Sequence, residues 1–291
     1  MKQLLIGIIF TLIAGKCFSQ QDEYFHLWPG NVPGETEAKH PAKPAPTAKN
    51  GILLITDVTD PIVTVYTPAP QLNLGIGIVI CPGGGNKVLS TITEGKDVAK
   101  WFTDRGFTGF VLQYRVPDKR AGALQDIFRA LRLIRNNADK WKLNINKLGV
   151  MGFSAGGNLS ARASTEYRQE TYIPVDKADS LPCRPDFAVL IYPGGLANGP
   201  EHKLISELTV DKNTSPTFLS VANDDPVGIP LSYAYALHDA KVIMELHVVP
   251  KGGHGFGLLR GNGVPWEWPE LAEKWIKQTL NINTLTNLNA K

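Results

Sequence analysis

At 291 residues with 43% hydrophobic side chains, the chain is long enough to bury the core of one large domain. Its 30 basic and 27 acidic residues leave a formal net charge of +3, which gives no electrostatic case for a nucleic-acid partner. Cys81 and Cys183 do not make a disulfide framework, and neither sits in a C-x-x-C or zinc-type spacing.

The first twenty residues, "MKQLLIGIIFTLIAGKCFSQ", carry Lys2, an apolar run from Leu4 to Ala14, and small residues at Cys17 and Ser19. That grammar predicts a signal peptide over 1–19 and export to a bacterial periplasm or the medium. The run is too short to span a bilayer, and Lys16 fits a lipid anchor on Cys17 badly. Residues 20–50 are polar, with "HPAKPAP" at 40–46, and the prolines deny the chain a helix. An extended strap is expected there, with Phe25 and Trp28 pinning it to the body. One domain is expected over 51–291.

From residue 62 onward short apolar runs alternate with helical patterns. "IVTVYTP" (62–68) and "IGIVIC" (76–81) read as strands, and "EGKDVAKWFTDRG" (94–106) reads as a helix closed by Gly106. Cys81 ends the second strand as a small buried hydrophobe, the alternative being a bridge to Cys183. "FTGFVLQY" (107–114) is strand-like. The helix after it sets Leu124, Ile127, Phe128, Leu131 and Ile134 on one apolar stripe, with Arg129, Arg132 and Arg135 on a face expected to be solvated. "LGVMGF" (148–153), "FAVLIY" (187–192), "TFLSVA" (217–222) and "IMELHVV" (243–249) are further strands, with helices expected from Ser154, over 230–240 and from Pro269. Buried apolar strands alternating with helices predict an α/β fold: a mostly parallel central sheet with helices on both faces.

"GFSAGG" (152–157) places Ser154 between a strand and a helix, with Gly152 and Gly156 completing G-x-S-x-G. In such a strand–turn–helix elbow the serine backbone is strained, glycines two residues away remove the clash, and the hydroxyl stands above the strand ends. A plain helix-capping serine is the competing explanation. A nucleophilic serine needs a base, and among six histidines His254 alone lies in a glycine-rich loop after a strand, "KGGHGFG" (251–257). His247 sits within that strand, and His26, His40, His202 and His238 have no comparable setting. Asp224 and Asp225, after the strand 217–222, supply an acid to orient the imidazole, in the order Ser, Asp, His; the competing explanation is a turn before Pro226. Gly83, Gly84 and Gly85 follow the strand ending at Cys81, where N–H groups can face a developing oxyanion together with that of Ala155. An ordinary tight turn would explain the glycines alone, but the four parts fall in chain order, each at a strand end.

"ICPGGG", "GVMGFSAGG", "CRPDFAVLIYPG", "DDPV" and "ELHVVPKGGHGFGL" together resemble the α/β-hydrolase superfamily, and within it the secreted carbohydrate-esterase-like group that includes acetylxylan esterases. The resemblance runs from about residue 50 to 275. It implies a triad of Ser154, Asp224 and His254, with Asp225 as the second candidate, and oxyanion donors at Gly83, Gly84 and Ala155. Pro82 stands where lipase-like esterases have His, and Asn86 where many relatives have an aromatic, so acyl and sugar preference do not carry over.

The chemistry expected is two-step ester hydrolysis through an acyl-enzyme, on an acylated carbohydrate, with no metal or organic cofactor, since H-E-x-x-H and phosphate-loop motifs are absent. Three rivals are a serine peptidase of the prolyl-oligopeptidase type, a non-catalytic binding module, and a polysaccharide hydrolase using paired carboxylates. The first lacks room for a propeller before the first strands. The third would draw on Glu94, Glu201 or Glu207, which are expected to be exposed. Trp266 and Trp268 are candidates to stack on sugar rings, with a role in fixing a helix start as the alternative.

Overall fold

The computed structural model describes residues 23–46, 52–198, 201, 203–259 and 267–282. The expected signal peptide at 1–19 and Trp266 lie outside the described residues.

Eight strands form one sheet: β1 (Glu23–His26), β2 (Ile62–Tyr66), β3 (Ile76–Cys81), β4 (Phe107–Gln113), β5 (Leu148–Phe153), β6 (Ala188–Ile191), β7 (Thr217–Ala222) and β8 (Met244–Val249). Their order is β1-β2-β4-β3-β5-β6-β7-β8. Strands β4, β3 and β5 to β8 run parallel, while β1 and β2 join antiparallel at one edge. The apolar composition of β3 and β5, and of β7 apart from Thr217 and Ser220, follows from their position, since every residue in them is buried.

Successive side chains of a strand face opposite sides, and β3 divides accordingly. Ile76, Ile78 and Ile80 pack with Val98 and Phe102 of α1 (Asp97–Thr103) and with Trp268, Trp275 and Ile276 of α5 (Trp268–Thr279). Val79 and Cys81 face α2 (Arg120–Asn136), α3 (Ala155–Thr165) and α4 (Gly228–Asp239) through Leu124, Phe128, Leu159 and Leu237. The result is a three-layer α/β/α domain. Among the described residues no helix is long and apolar enough to cross a membrane.

The strap expected at 20–50 contributes β1 to the sheet edge rather than lying wholly outside it. Phe25 stacks on Trp141 with centroids 5.9 Å apart, and buried Trp28 donates its indole N–H to Asp126 at 2.9 Å. The arginine face of α2 departs from expectation. Arg129 is 1% exposed and Arg135 is also buried. Arg129 meets Asp179 at 3.0 Å, and Arg135 donates to the carbonyls of Ile145, Pro182 and Arg184. These guanidiniums fasten the helix to loops beneath it that periodicity does not reveal. Cys81 and Cys183 are both buried and unpaired, so the bridge between them is not made.

Candidate active site

The chain passes from β3 to β4 on one side and returns to β5 on the other, so the sheet order reverses beside β3. Open α/β sheets bind ligands in the crevice at such a switch, beyond the carboxyl ends of the strands. Cys81 and Gly152 lie in register, which places the Gly83 loop and Ser154 next to each other.

Ser154 has φ +51° and ψ −115°, a left-handed conformation a serine adopts only when its surroundings enforce it. A Cβ on Gly152 would sit 2.0 Å from the Gly156 carbonyl oxygen, and one on Gly156 would sit 2.0 Å from that of Cys81. Only two bare backbones fit there, which is what holds the elbow. The Ser154 carbonyl accepts from Asn158 and Gly194 N–H, both at 3.1 Å, locking the turn from behind.

The loop after β8 brings His254 over the serine, with left-handed glycines at Gly253 and Gly255 on either side. The Ser154 hydroxyl lies 2.7 Å from His254 Nε2, and the other ring nitrogen, Nδ1, lies 2.9 Å from an Asp225 carboxylate oxygen. Donation of Nδ1–H to the carboxylate leaves Nε2 as the acceptor for the serine proton. The expectation of Asp224 in this role is corrected. Asp224 is exposed and accepts the Gly253 N–H at 2.8 Å, holding the histidine loop by its backbone. The Asp225 N–H closes a turn onto the Ala222 carbonyl at 3.1 Å, and its side chain, 7% exposed, lies behind the imidazole.

Gly83 is corrected as an oxyanion donor as well: its N–H already donates to Glu94 Oε2 at 2.7 Å. The Gly83 carbonyl accepts from Ser90 N–H at 3.0 Å, and because a trans peptide is planar the Gly84 N–H points the opposite way. Gly84 and Ala155 N–H find no acceptor among the described residues, and Ala155 opens α3, where first-turn N–H groups are free to meet an anion.

Beside Ser154 lies a cleft of about 300 Å³ lined by Gly85, Asn86, Arg120, Ala155, Asn158 and Asn198 among others, with Ile205 as an apolar wall. No carboxylate lines it among the described residues. Arg120 reaches Asn158 Oδ1 at 3.4 Å, and Asn158 in turn donates to the Gly195 carbonyl at 2.8 Å. Trp268 is buried and donates to the Gly257 carbonyl at 2.7 Å, so it is a core residue bracing the histidine loop and not a sugar platform. Among the described residues Glu37, His40 and Asp57 gather metal-ligand atoms within 4.8 Å, but none of them lines this cleft and Lys43 already pairs with Asp57 at 2.6 Å.

Sequence reasoning missed two residues beneath the site. Glu94, expected to be exposed, is buried, and its Oε1 lies 2.8 Å from the Tyr192 hydroxyl. Burial pushes the Glu94 carboxyl above the ordinary carboxylate range, opposed by hydrogen bonds from Tyr192 and Gly83. Tyr192, at the end of β6, lays its ring edge-on to His254 with centroids 5.1 Å apart. A usable signal existed for Glu94, which precedes Val98 by four residues and Phe102 by eight and so continues their apolar stripe. Glu201 and Glu207 are exposed as expected.

A family model described as BD-FAE matches residues 63–181. Over 242 residues the chain is 31% identical to an acetylxylan esterase of Xylanibacter ruminicola, covering 74% of this chain and 47% of that protein. It is 30% identical over 206 residues to an endo-1,4-beta-xylanase B of Butyrivibrio fibrisolvens, covering 61% of this chain and 32% of that protein. The chain thus spans less than half the length of either relative. Among solved structures, an acetyl ester-xyloside bifunctional hydrolase from Caldicellulosiruptor lactoaceticus superposes with a TM-score of 0.73 at 28% identity, covering 90% of this chain and 98% of that one. With its sheet order, its serine elbow and these neighbours, the chain has the α/β-hydrolase fold, and its likeness among known proteins is to the acetylxylan-esterase-like group.

Proposed function

We propose that the chain is a serine carboxylic-ester hydrolase that removes small acyl groups, acetyl above all, from plant polysaccharides or their oligomers. One observation carries the reading: the continuous relay from Ser154 Oγ to His254 Nε2 at 2.7 Å and from His254 Nδ1 to Asp225 at 2.9 Å. His254 takes the serine proton as Oγ attacks the acyl carbonyl, and Asp225 steadies the imidazolium that forms. The oxyanion meets the N–H groups of Gly84 and Ala155, a type of donor each worth about 3–4 kcal/mol. Collapse of the tetrahedral intermediate expels the sugar hydroxyl, which takes its proton from His254. Water, activated by the same imidazole, then attacks the acyl-enzyme and frees the acid.

The polar cleft lined by Asn86, Asn158, Asn198 and Arg120 suits a hydroxyl-rich leaving group better than a long acyl chain. The acetylxylan esterase relative supports the acyl carbohydrate as substrate. Export through the segment at 1–19 belongs to the same reading, because such polymers are met outside the cell. Glycosidic cleavage, which the xylanase and xyloside-hydrolase relatives raise, is disfavoured by the lack of paired carboxylates in this cleft among the described residues.

Hydrolysis of an acetyl ester and of acetylated xylan by purified protein, beside Ser154→Ala, tests the reading. Acetate release is expected from the native enzyme, with a loss on the order of 10⁶-fold in kcat for the variant. Release of reducing sugar without acetate would overturn it.

A further inference from the structure

Glu94 stands between the two loops that meet over Ser154. On one side, the Pro82–Gly83 peptide is gripped at both ends: the Tyr114 hydroxyl donates to the Pro82 carbonyl at 2.6 Å, and the Gly83 N–H donates to Glu94 Oε2 at 2.7 Å. The grip lies against the nucleophile, since a Cβ on Gly83 would come within 3.1 Å of Ser154 Cβ. On the other side, Glu94 Oε1 accepts the Tyr192 hydroxyl proton at 2.8 Å, and the Tyr192 oxygen accepts the Gly257 N–H from the histidine loop at 3.1 Å. Tyr192 itself is held at φ +38°, with its ring packed on Phe256 and on His254.

With Glu94 ionised, each of its oxygens accepts one of these hydrogen bonds, from the Gly83 N–H and from the Tyr192 hydroxyl. Burying a carboxyl is unfavourable unless its oxygens are satisfied, and an apolar residue would serve the neighbouring helix equally well. Among the described residues neither oxygen is used by a helix cap or a surface ion pair. Both are spent on the two loops flanking the reaction centre.

Resting on the esterase reading, we infer that Glu94 is a positioning residue, which clamps the Gly83 peptide and, through Tyr192, the His254 loop. By occupying the Gly83 N–H it leaves Gly84 and Ala155 as the oxyanion donors and fixes the plane from which the Gly84 N–H departs. It touches neither substrate nor the reacting atoms. Its loss is therefore expected in the transition state more than in ground-state binding, because a small displacement of donors or base costs turnover.

The test compares Glu94→Ala, Glu94→Gln and Tyr192→Phe with the native enzyme on an acetyl ester, with Tm measured alongside. Glu94→Ala is expected to lower kcat by about 100-fold with KM changed less than about threefold. Glu94→Gln, whose amide oxygen still accepts from Gly83 and whose NH₂ can donate to Tyr192, is expected to regain about tenfold of that loss. Tyr192→Phe, which keeps the Gly83 contact and breaks the other, is expected to fall between native and Ala; it and Gln carry the test should Ala fail to fold. The rate of organophosphate attachment to Ser154 is expected to follow the same ranking whichever ester is the substrate, which separates failure of this inference from failure of the substrate reading. Native kcat in the Gln and Tyr192→Phe variants, or losses in kcat that only track loss of folded protein, would overturn the assignment.

Discussion

The pair Asp224 and Asp225 shows how a single position in a turn decides a role. The order Ser, Asp, His and the placement after β7 were legible from sequence, but adjacent aspartates share both features. The turn separates them: Asp225 folds back under the imidazole while Asp224 faces outward and grips Gly253 by its N–H. Asp225→Asn leaves a neutral amide at His254 Nδ1 and loses the tautomer that keeps Nε2 free, so kcat is expected to fall on the order of 10⁴-fold. Asp224→Asn keeps a carbonyl acceptor for Gly253 and is expected to retain activity within about tenfold. Equal losses in steady-state kinetics, or the larger loss at Asp224, would reverse the assignment. Glu94 was misjudged for a different reason: exposed glutamates are the default, and the hydroxyl that satisfies it comes from Tyr192, 98 residues away.

At the scale of elements, strands were read more faithfully than helix surfaces. β3, β5 and β7 match their expected limits because fully buried strands are predominantly apolar runs bounded by turn residues. The apolar stripe of α2 was equally plain, yet its arginine face was taken for solvent. Arg129 and Arg135 are covered by the segment from 172 to 186, whose carbonyls and acids are invisible to any local pattern. That burial has a pH signature. The hydrogen bond from Arg129 holds the Asp176 carboxyl below its ordinary range. A lowered carboxylate stabilises the fold above the ordinary carboxylate range and loses that contribution as pH falls through the lowered value. Thermal unfolding at stepped pH is expected to show Tm falling on acidification, with a shallower fall in Asp176→Asn. An unchanged slope in the variant would remove this pair from the acid response.

For the molecule as a whole, the alternation of strands and helices dictated three layers, and the reversal of strand order beside β3 put the site at the carboxyl edge. The four parts of the proposed site stood out in the sequence because each follows a strand and is marked by glycine or a reactive side chain, although the acid was placed at Asp224 and one oxyanion donor at Gly83. Less legible was the layer beneath them, where Glu94 alone carried a periodic signal. Tyr192 and Tyr114 meet Gly257 and Pro82 across 65 and 32 residues of chain, Glu94 and Trp268 meet Gly83 and Gly257 across 11, and none carries a motif. The most direct measurement on the site as a whole is mass spectrometry of the protein after treatment with an organophosphate, which traps an activated serine as a covalent adduct. One adduct per chain on the peptide containing Ser154, absent in Ser154→Ala and formed far more slowly in His254→Ala, is the expected result. An adduct at another residue, or undiminished ester hydrolysis once Ser154 is replaced, would contradict it.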